Sequence, residues 1–200
     1  MPLMKQISGK IYLPPRSGLI YHPNKYILFT TVDYVAVGLA KGETKIDKPI
    51  LIEIYTDYIW PWCYLSTVSI EKLKLEHNVQ TRWIHFPLHP DTPDEGQSLS
   101  DLFKDRSDED VQAMRENMKN LMTEAGLPYG NRTMTYNSRL AQELGSWADS
   151  QDQGDSIHDI LYKAYFVDNV NINDIEVLVS LSGAAGLDEI EARRILSGRV

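Results

Sequence analysis

The side chain with the widest chemistry is the thiol of Cys63, the single cysteine among 200 residues. It closes the tetrapeptide Trp60-Pro61-Trp62-Cys63. A thiol can attack a disulfide, ligate a metal or rest inert in a core, and only its thiolate form does the first two. One cysteine closes no intramolecular disulfide, so a disulfide scaffold and a Cys-rich metal site are both excluded. A solitary cysteine is more often a small buried hydrophobe than a nucleophile, and its neighbours have to argue otherwise.

Other groups with chemical capacity are weaker. His85 and His89 stand four apart with Asp91 close by, which are metal-ligating types. They fall at an expected strand end and in a Pro-rich turn, where that spacing does not bring ligands to one helix face. No metal is expected there. Asp105, Asp108, Glu109 and Asp110 lack the Gly and the spacing of a calcium loop, and suit a helix start, where the dipole favours carboxylates. His158-Asp159 reads as part of another capped helix start. The sequence has no phosphate-cradling Gly-rich loop, no nucleophile elbow and no basic stripe.

The elements that position Cys63 follow from periodicity. Ile50-Leu51-Ile52-Glu53-Ile54-Tyr55 is an apolar run of strand length, as in a strand covered on both faces. Thr56-Asp57-Tyr58 breaks it. Pro61 suits a first helical position, where its fixed φ fits and its missing N–H costs nothing. A helix over 62–76 is expected, with Leu65, Val68, Ile70 and Leu73 at helical spacing. A second strand is expected over 81–86, ended by Pro87. The order is strand, turn, helix, strand, with the tetrapeptide at the helix N-terminus.

From Pro93 onward the pattern is helical. Ser107 caps a helix whose face carries Val111, Met114, Met118, Leu121 and Met122, read as core filler, and Gly126 ends it. Asn137 is the expected cap of a helix bearing Leu140, Ala141, Leu144, Trp147 and Ala148. Ile157, Ile160, Leu161, Ala164 and Tyr165 mark another. Asn173 with Glu176, and Asp188 with Glu191, look like capping boxes on either side of Gly186. Residues 1–48 read as an N-terminal extension of uncertain structure, with a short strand near Lys10 and one or two strands over 26–40. Two parallel strands make a small sheet with open edges. Either the N-terminal segment supplies a completing strand or, the simpler expectation, further strands belong C-terminal to Val200.

The segment Asp57-Tyr58-Ile59-Trp60-Pro61-Trp62-Cys63-Tyr64 resembles the signature of FrnE-like, DsbA-type oxidoreductases, in which an Asp-aromatic-aliphatic tripeptide precedes Cys-Pro-Trp-Cys-Tyr. The resemblance continues through Phe86-Pro87-Leu88-His89-Pro90-Asp91-Thr92-Pro93, Asn137-Ser138-Arg139-Leu140-Ala141, His158-Asp159, Tyr162 to Val167, and Ala184-Ala185-Gly186-Leu187. It implies an α/β, thioredoxin-like fold over 49–200, with a βαβ start at 49–92 and a mostly helical insertion at 93–200. It also implies a later strand carrying a Val-Pro-Thr-type cis-proline, which nothing in this sequence matches. In the family the first motif cysteine is the nucleophile; here that position is Trp60, which has no thiol. Cys63 takes the second position and is the catalytic candidate, with Trp60, Pro61 and Trp62 as its motif. Without a second thiol it is expected to form only a mixed disulfide, for example with glutathione.

The function this implies is thiol–disulfide exchange on protein or small-thiol substrates, impaired by Trp60, with no cofactor beyond glutathione as a co-substrate. Two alternatives stand beside it. One is a glutathione-dependent isomerase similar to the hydroxychromene-carboxylate isomerases, though Trp60 supplies no hydroxyl to act on glutathione. The other is a non-catalytic peptide-binding module with an aromatic surface at Tyr58, Trp60 and Trp62. A net charge of −8 disfavours nucleic acid and anionic lipid as partners. Hydrophobic residues at 42% suffice to bury a core without metal or disulfides. The start is mixed polar, and the best apolar run, residues 26–40, is broken by Asp33 and too short to span a bilayer, so a cytoplasmic protein is expected.

Overall fold

A computed structural model describes residues 49–151 and 154–198, together with the backbone of four strands that precede them. In chain order the elements are β1 (Lys10–Tyr12), β2 (Gly18–His22), β3 (Lys25–Phe29), β4 (Ala36–Gly38), β5 (Ile50–Thr56), α1 (Pro61–Glu76), β6 (Val79–His85), β7 (Gln97–Ser98), α2 (Leu99–Leu102), α3 (Asp108–Glu124), β8 (Met134–Thr135), α4 (Arg139–Ala148), α5 (Gly154–Phe166), α6 (Ile175–Ala184) and α7 (Glu189–Gly198). The chain divides into two compact units, 1–56 with 66–84 and 57–65 with 85–200.

The first unit is built on a four-stranded sheet in the order β2-β3-β5-β6. β2 and β3 form an antiparallel hairpin, and β3 runs parallel to β5 with Ile27 opposite Glu53. β5 thus lies between β3, which precedes it in the chain, and β6, which follows α1, so the N-terminal segment supplies one of its two neighbours. The physical reason is the open edge of β5, whose backbone groups pair with the β-branched and aromatic segment that precedes it. β1 and β4 make a separate antiparallel pair. The Pro14-Pro15 break and the connector 42–48 lie outside the described residues.

β5 is buried through three consecutive residues, Ile52-Glu53-Ile54, as a strand covered on both faces requires. Ile52, Ile54 and Ile70 form its core, edged by Ile50, Val79 and Trp83. The buried Glu53 carboxylate is paired with Arg82, which removes the larger part of its desolvation cost. β6 runs from Val79 to His85, starting two residues and ending one residue earlier than 81–86, because two residues suffice to leave the helix: Val79 N donates to His77 O at 2.9 Å.

The second unit is helical. Its core gathers Tyr58, Cys63 and Tyr64 with Met118 and Met122 of α3, Leu144 of α4, Leu161, Tyr165 and Phe166 of α5, Leu178 of α6 and Leu196 of α7. The methionine face is core at Met118 and Met122, whereas Met114 stays exposed. Ser107 accepts from Asp110 N and caps α3, and Gly126 leaves that helix with φ +74°. Asp188 caps α7 by accepting from Ile190 N and Glu191 N. Two expected caps move by one residue. Asp174, not Asn173, caps α6, since its carboxylate accepts from Glu176 N and Val177 N. Ser138 is the N-cap position of α4, while Asn137 accepts from Arg139 N and donates to the carbonyls of Pro90 and Thr92.

Candidate functional site at the opening of the first helix

Asp57 ends the run of strand geometry, and its carboxylate takes over the backbone groups that the strand leaves. Oδ1 accepts from Ile59 N at 3.2 Å and Oδ2 from Leu88 N at 2.7 Å. Trp60 N donates to Asp57 O at 3.1 Å, closing a tight turn over 57–60. Pro61 is the first residue of α1, as its fixed φ predicts. The Trp60 carbonyl then accepts from Cys63 N at 3.0 Å and Tyr64 N at 3.4 Å. Position 60 therefore stands at the helix opening, and position 63 lies inside its first turn.

Trp60 is half-buried, its ring 6.0 Å from that of His89, and its indole N–H has no hydrogen-bond partner among the described residues. Cys63 is 3% exposed, with Sγ accepting from Asp57 N at 3.5 Å. Tyr64 stacks face to face on Phe166, 5.2 Å apart and 2° from parallel, and on Tyr162 at 5.4 Å. Its hydroxyl donates to Pro128 O at 3.1 Å, and burial, with Asp159 adding, pushes the phenol up to about 12. Trp62 is half-buried beside the same core.

The expected aromatic surface is not formed by Tyr58, which is fully buried. A phenol needs a partner there, and it finds one in His158, Oη to Nδ1 at 2.6 Å. His158 is not at a helix start but a turn inside α5, with its side chain 2% exposed. Its Nε2 lies 2.8 Å from Asp149 Oδ1, and His85 Nε2 lies 3.2 Å from Asp149 Oδ2. His85, expected apart from other groups at a strand end, thus shares a carboxylate with His158. Burial raises the Asp149 carboxyl, but hydrogen bonds from His158 and then His85, with their charges, outweigh it and hold the group below its usual range. Desolvation, followed by the charges of Asp149 and Asp57, holds the Tyr58 phenol well above its ordinary value. Among the described residues no group of three His, Cys, Asp or Glu is placed to hold a metal ion.

Tyr58, His85, Gly145, Asp149 and His158 were not singled out as a site by the sequence. Two anomalies pointed to them. Gly145 is a glycine inside a helix, which costs about 1 kcal/mol relative to alanine unless space is needed. Asp149 is a carboxylate at a helix C-terminus, the pole that repels it.

A strand leading through a turn into a helix whose first turn holds a cysteine, followed in the chain by a run of helices, is the arrangement of a thioredoxin-like fold with a helical insert. Residues 51–199 match the DSBA-like thioredoxin domain family, and the chain belongs to it. It is 26% identical over 149 residues to YwbO of Bacillus subtilis, an uncharacterised protein, spanning 74% of this chain and 72% of that one. It superposes on a probable DsbA oxidoreductase of Streptomyces coelicolor with a TM-score of 0.68 and 27% identity, over 74% of this chain and 67% of the other. The fold is also similar to DsbM of Pseudomonas aeruginosa, a cytosolic disulfide reductase solved with glutathione, at a TM-score of 0.54 and 16% identity over 74% and 72% of the two chains. No helix among the described residues is long and apolar enough to cross a membrane.

Proposed function

We propose that this chain is a FrnE-like, DsbA-type thiol–disulfide oxidoreductase by descent, with Cys63 as its reactive group and with dithiol exchange blocked at Trp60. The observation that carries the reading is the placement of Trp60 at the opening of α1 directly before Pro61, with Cys63 one turn inside and 3% exposed. An exposed thiol at position 60 would be stabilised as thiolate by the helix N-terminus. An indole cannot be. What remains is a single exchange step: the Cys63 thiolate attacks a disulfide sulfur, that S–S bond breaks, a mixed disulfide forms, and the released thiolate takes up a proton. Burial of Cys63 makes this slow. Protein disulfides and small thiols are the substrate class, with glutathione as the small-thiol co-substrate, a reading supported by glutathione in the DsbM structure.

The test is W60C. The variant is expected to close an intramolecular disulfide with Cys63, seen by intact mass, and to catalyse exchange with glutathione, while the unaltered chain forms at most a slow single glutathione adduct. Dithiol exchange by the unaltered chain, or failure of W60C to close a disulfide, would overturn the reading. The peptide-binding alternative loses one of its three aromatic residues to the core at Tyr58.

A further inference from the structure

Asp149 is the C-cap residue of α4, where the helix dipole opposes a negative charge, yet both of its oxygens are used by imidazoles. An ionised carboxylate only accepts, so His158 Nε2 carries the hydrogen that meets Oδ1. In the neutral ring that leaves Nδ1 as an acceptor, and the Tyr58 hydroxyl donates to it. The tautomer of His158, and with it the tie to Tyr58, is therefore set by Asp149.

One turn earlier on the same helix, Gly145 provides the room. A Cβ there would lie 2.2 Å from Tyr58 Oη and 2.8 Å from His85 Cε1. α4 thus meets the Tyr58 side chain twice, by an absent side chain at Gly145 and by the hydrogen bonds that run from Asp149 through His158. Tyr58 sits between Asp57, whose carboxylate holds Ile59 N and Leu88 N, and the turn that ends on Trp60.

We propose that Asp149 is a positioning residue for the motif: through His158 it holds Tyr58, and through Tyr58 it fixes the turn that presents position 60 and keeps Cys63 buried. The inference rests on the motif being the functional site and names the group that positions it. It is tested on the full chain with D149A, D149N and, as a control in the same core, L196A. Nitrogen chemical shifts of the imidazoles report the His158 tautomer. The reaction of Cys63 with an excess of an aromatic disulfide, in which its thiolate displaces one aryl thiolate, reports access to the motif. A urea titration of each variant supplies the global unfolding equilibrium.

D149A is expected to shift His158 away from the Nε2–H tautomer and to speed the Cys63 reaction at least tenfold beyond what its loss of global stability accounts for. D149N keeps an acceptor oxygen and is expected to restore the tautomer and most of the protection. L196A is expected to change Cys63 reactivity only in step with global unfolding. If D149A leaves the tautomer in place, or if its Cys63 rate merely follows global stability as in L196A, the positioning role is overturned. These readouts require no dithiol exchange, so they decide the matter whatever W60C does.

Discussion

At the opening of α1, Trp60 presents an indole N–H without a partner among the described residues, and Cys63 a thiol that is 3% exposed. Two residues upstream, Tyr58 begins a line of polar groups that runs through His158 to Asp149 and back to His85, each joined to the next by a hydrogen bond. The first region holds the tetrapeptide and its one thiol. The second lies outside the tetrapeptide and joins four titratable groups in one line. The supports of a turn have their own reason to be kept, because they also satisfy buried polar atoms and contribute to stability.

The sharpest way to break the contrast is at Gly145. G145A adds a methyl where Tyr58 Oη and His85 Cε1 already stand. It should cost a net ~2–3 kcal/mol from overpacking, despite the ~1 kcal/mol that alanine gains over glycine in a helix. Thermal and urea melts check this, and an unchanged or raised melting temperature would show that the line yields easily. A paired comparison follows. Y58F removes the hydroxyl from His158 Nδ1 and should cost about 1–2 kcal/mol. W60F removes an N–H that bonds nothing and should cost under about 1 kcal/mol, most of it lost packing area. Equal losses by the same urea titration would erase the distinction between the regions.

The pH dependence separates them further. The Asp149 carboxyl is depressed in the fold, so its contribution is complete above the unfolded value near 4 and drains away as pH falls through its lower folded value. The phenols of Tyr58 and Tyr64 are raised, so their contributions are complete below about 10 and are lost as pH climbs toward the folded values, about 12 for Tyr64. Urea titrations across pH should show D149N flattening the acid limb and Y58F shrinking the alkaline one, while W60F moves neither. The smallest effect is expected at the exposed Glu191–Arg194 pair: E191A should leave the melting temperature unchanged within error, as surface ion pairs one turn apart usually do.

What the sequence disclosed and what it hid divide by distance along the chain. The strand Ile50–Thr56, Pro61 as a first helical residue, Ser107 and Asp188 as caps and Gly126 as a helix end are all decided within a few residues, so local periodicity and backbone chemistry reveal them. The shift from Asn173 to Asp174 was beyond such rules, since both side chains can cap and only the fold selects one. The Tyr58–His158 bond joins residues 100 apart, and His85–Asp149 joins residues 64 apart. No spacing rule spans such intervals. His158 reads as a helix start because its partners are out of sight along the chain, and Tyr58 stays open between surface and core because an aromatic before a helix fits either place.

The stacked rings of Tyr64, Tyr162 and Phe166 have an optical consequence. Tyr64 rides on α1 one residue after Cys63, held parallel to Phe166 and near Tyr162. Rings locked in a fixed asymmetric array give near-ultraviolet circular dichroism that vanishes when packing loosens. The motif helix therefore carries its own unlabelled reporter. The part of that signal that disappears in Y64L belongs to the stack, and losing that part while the far-ultraviolet spectrum is intact would report loosened packing on α1 before the helices unfold.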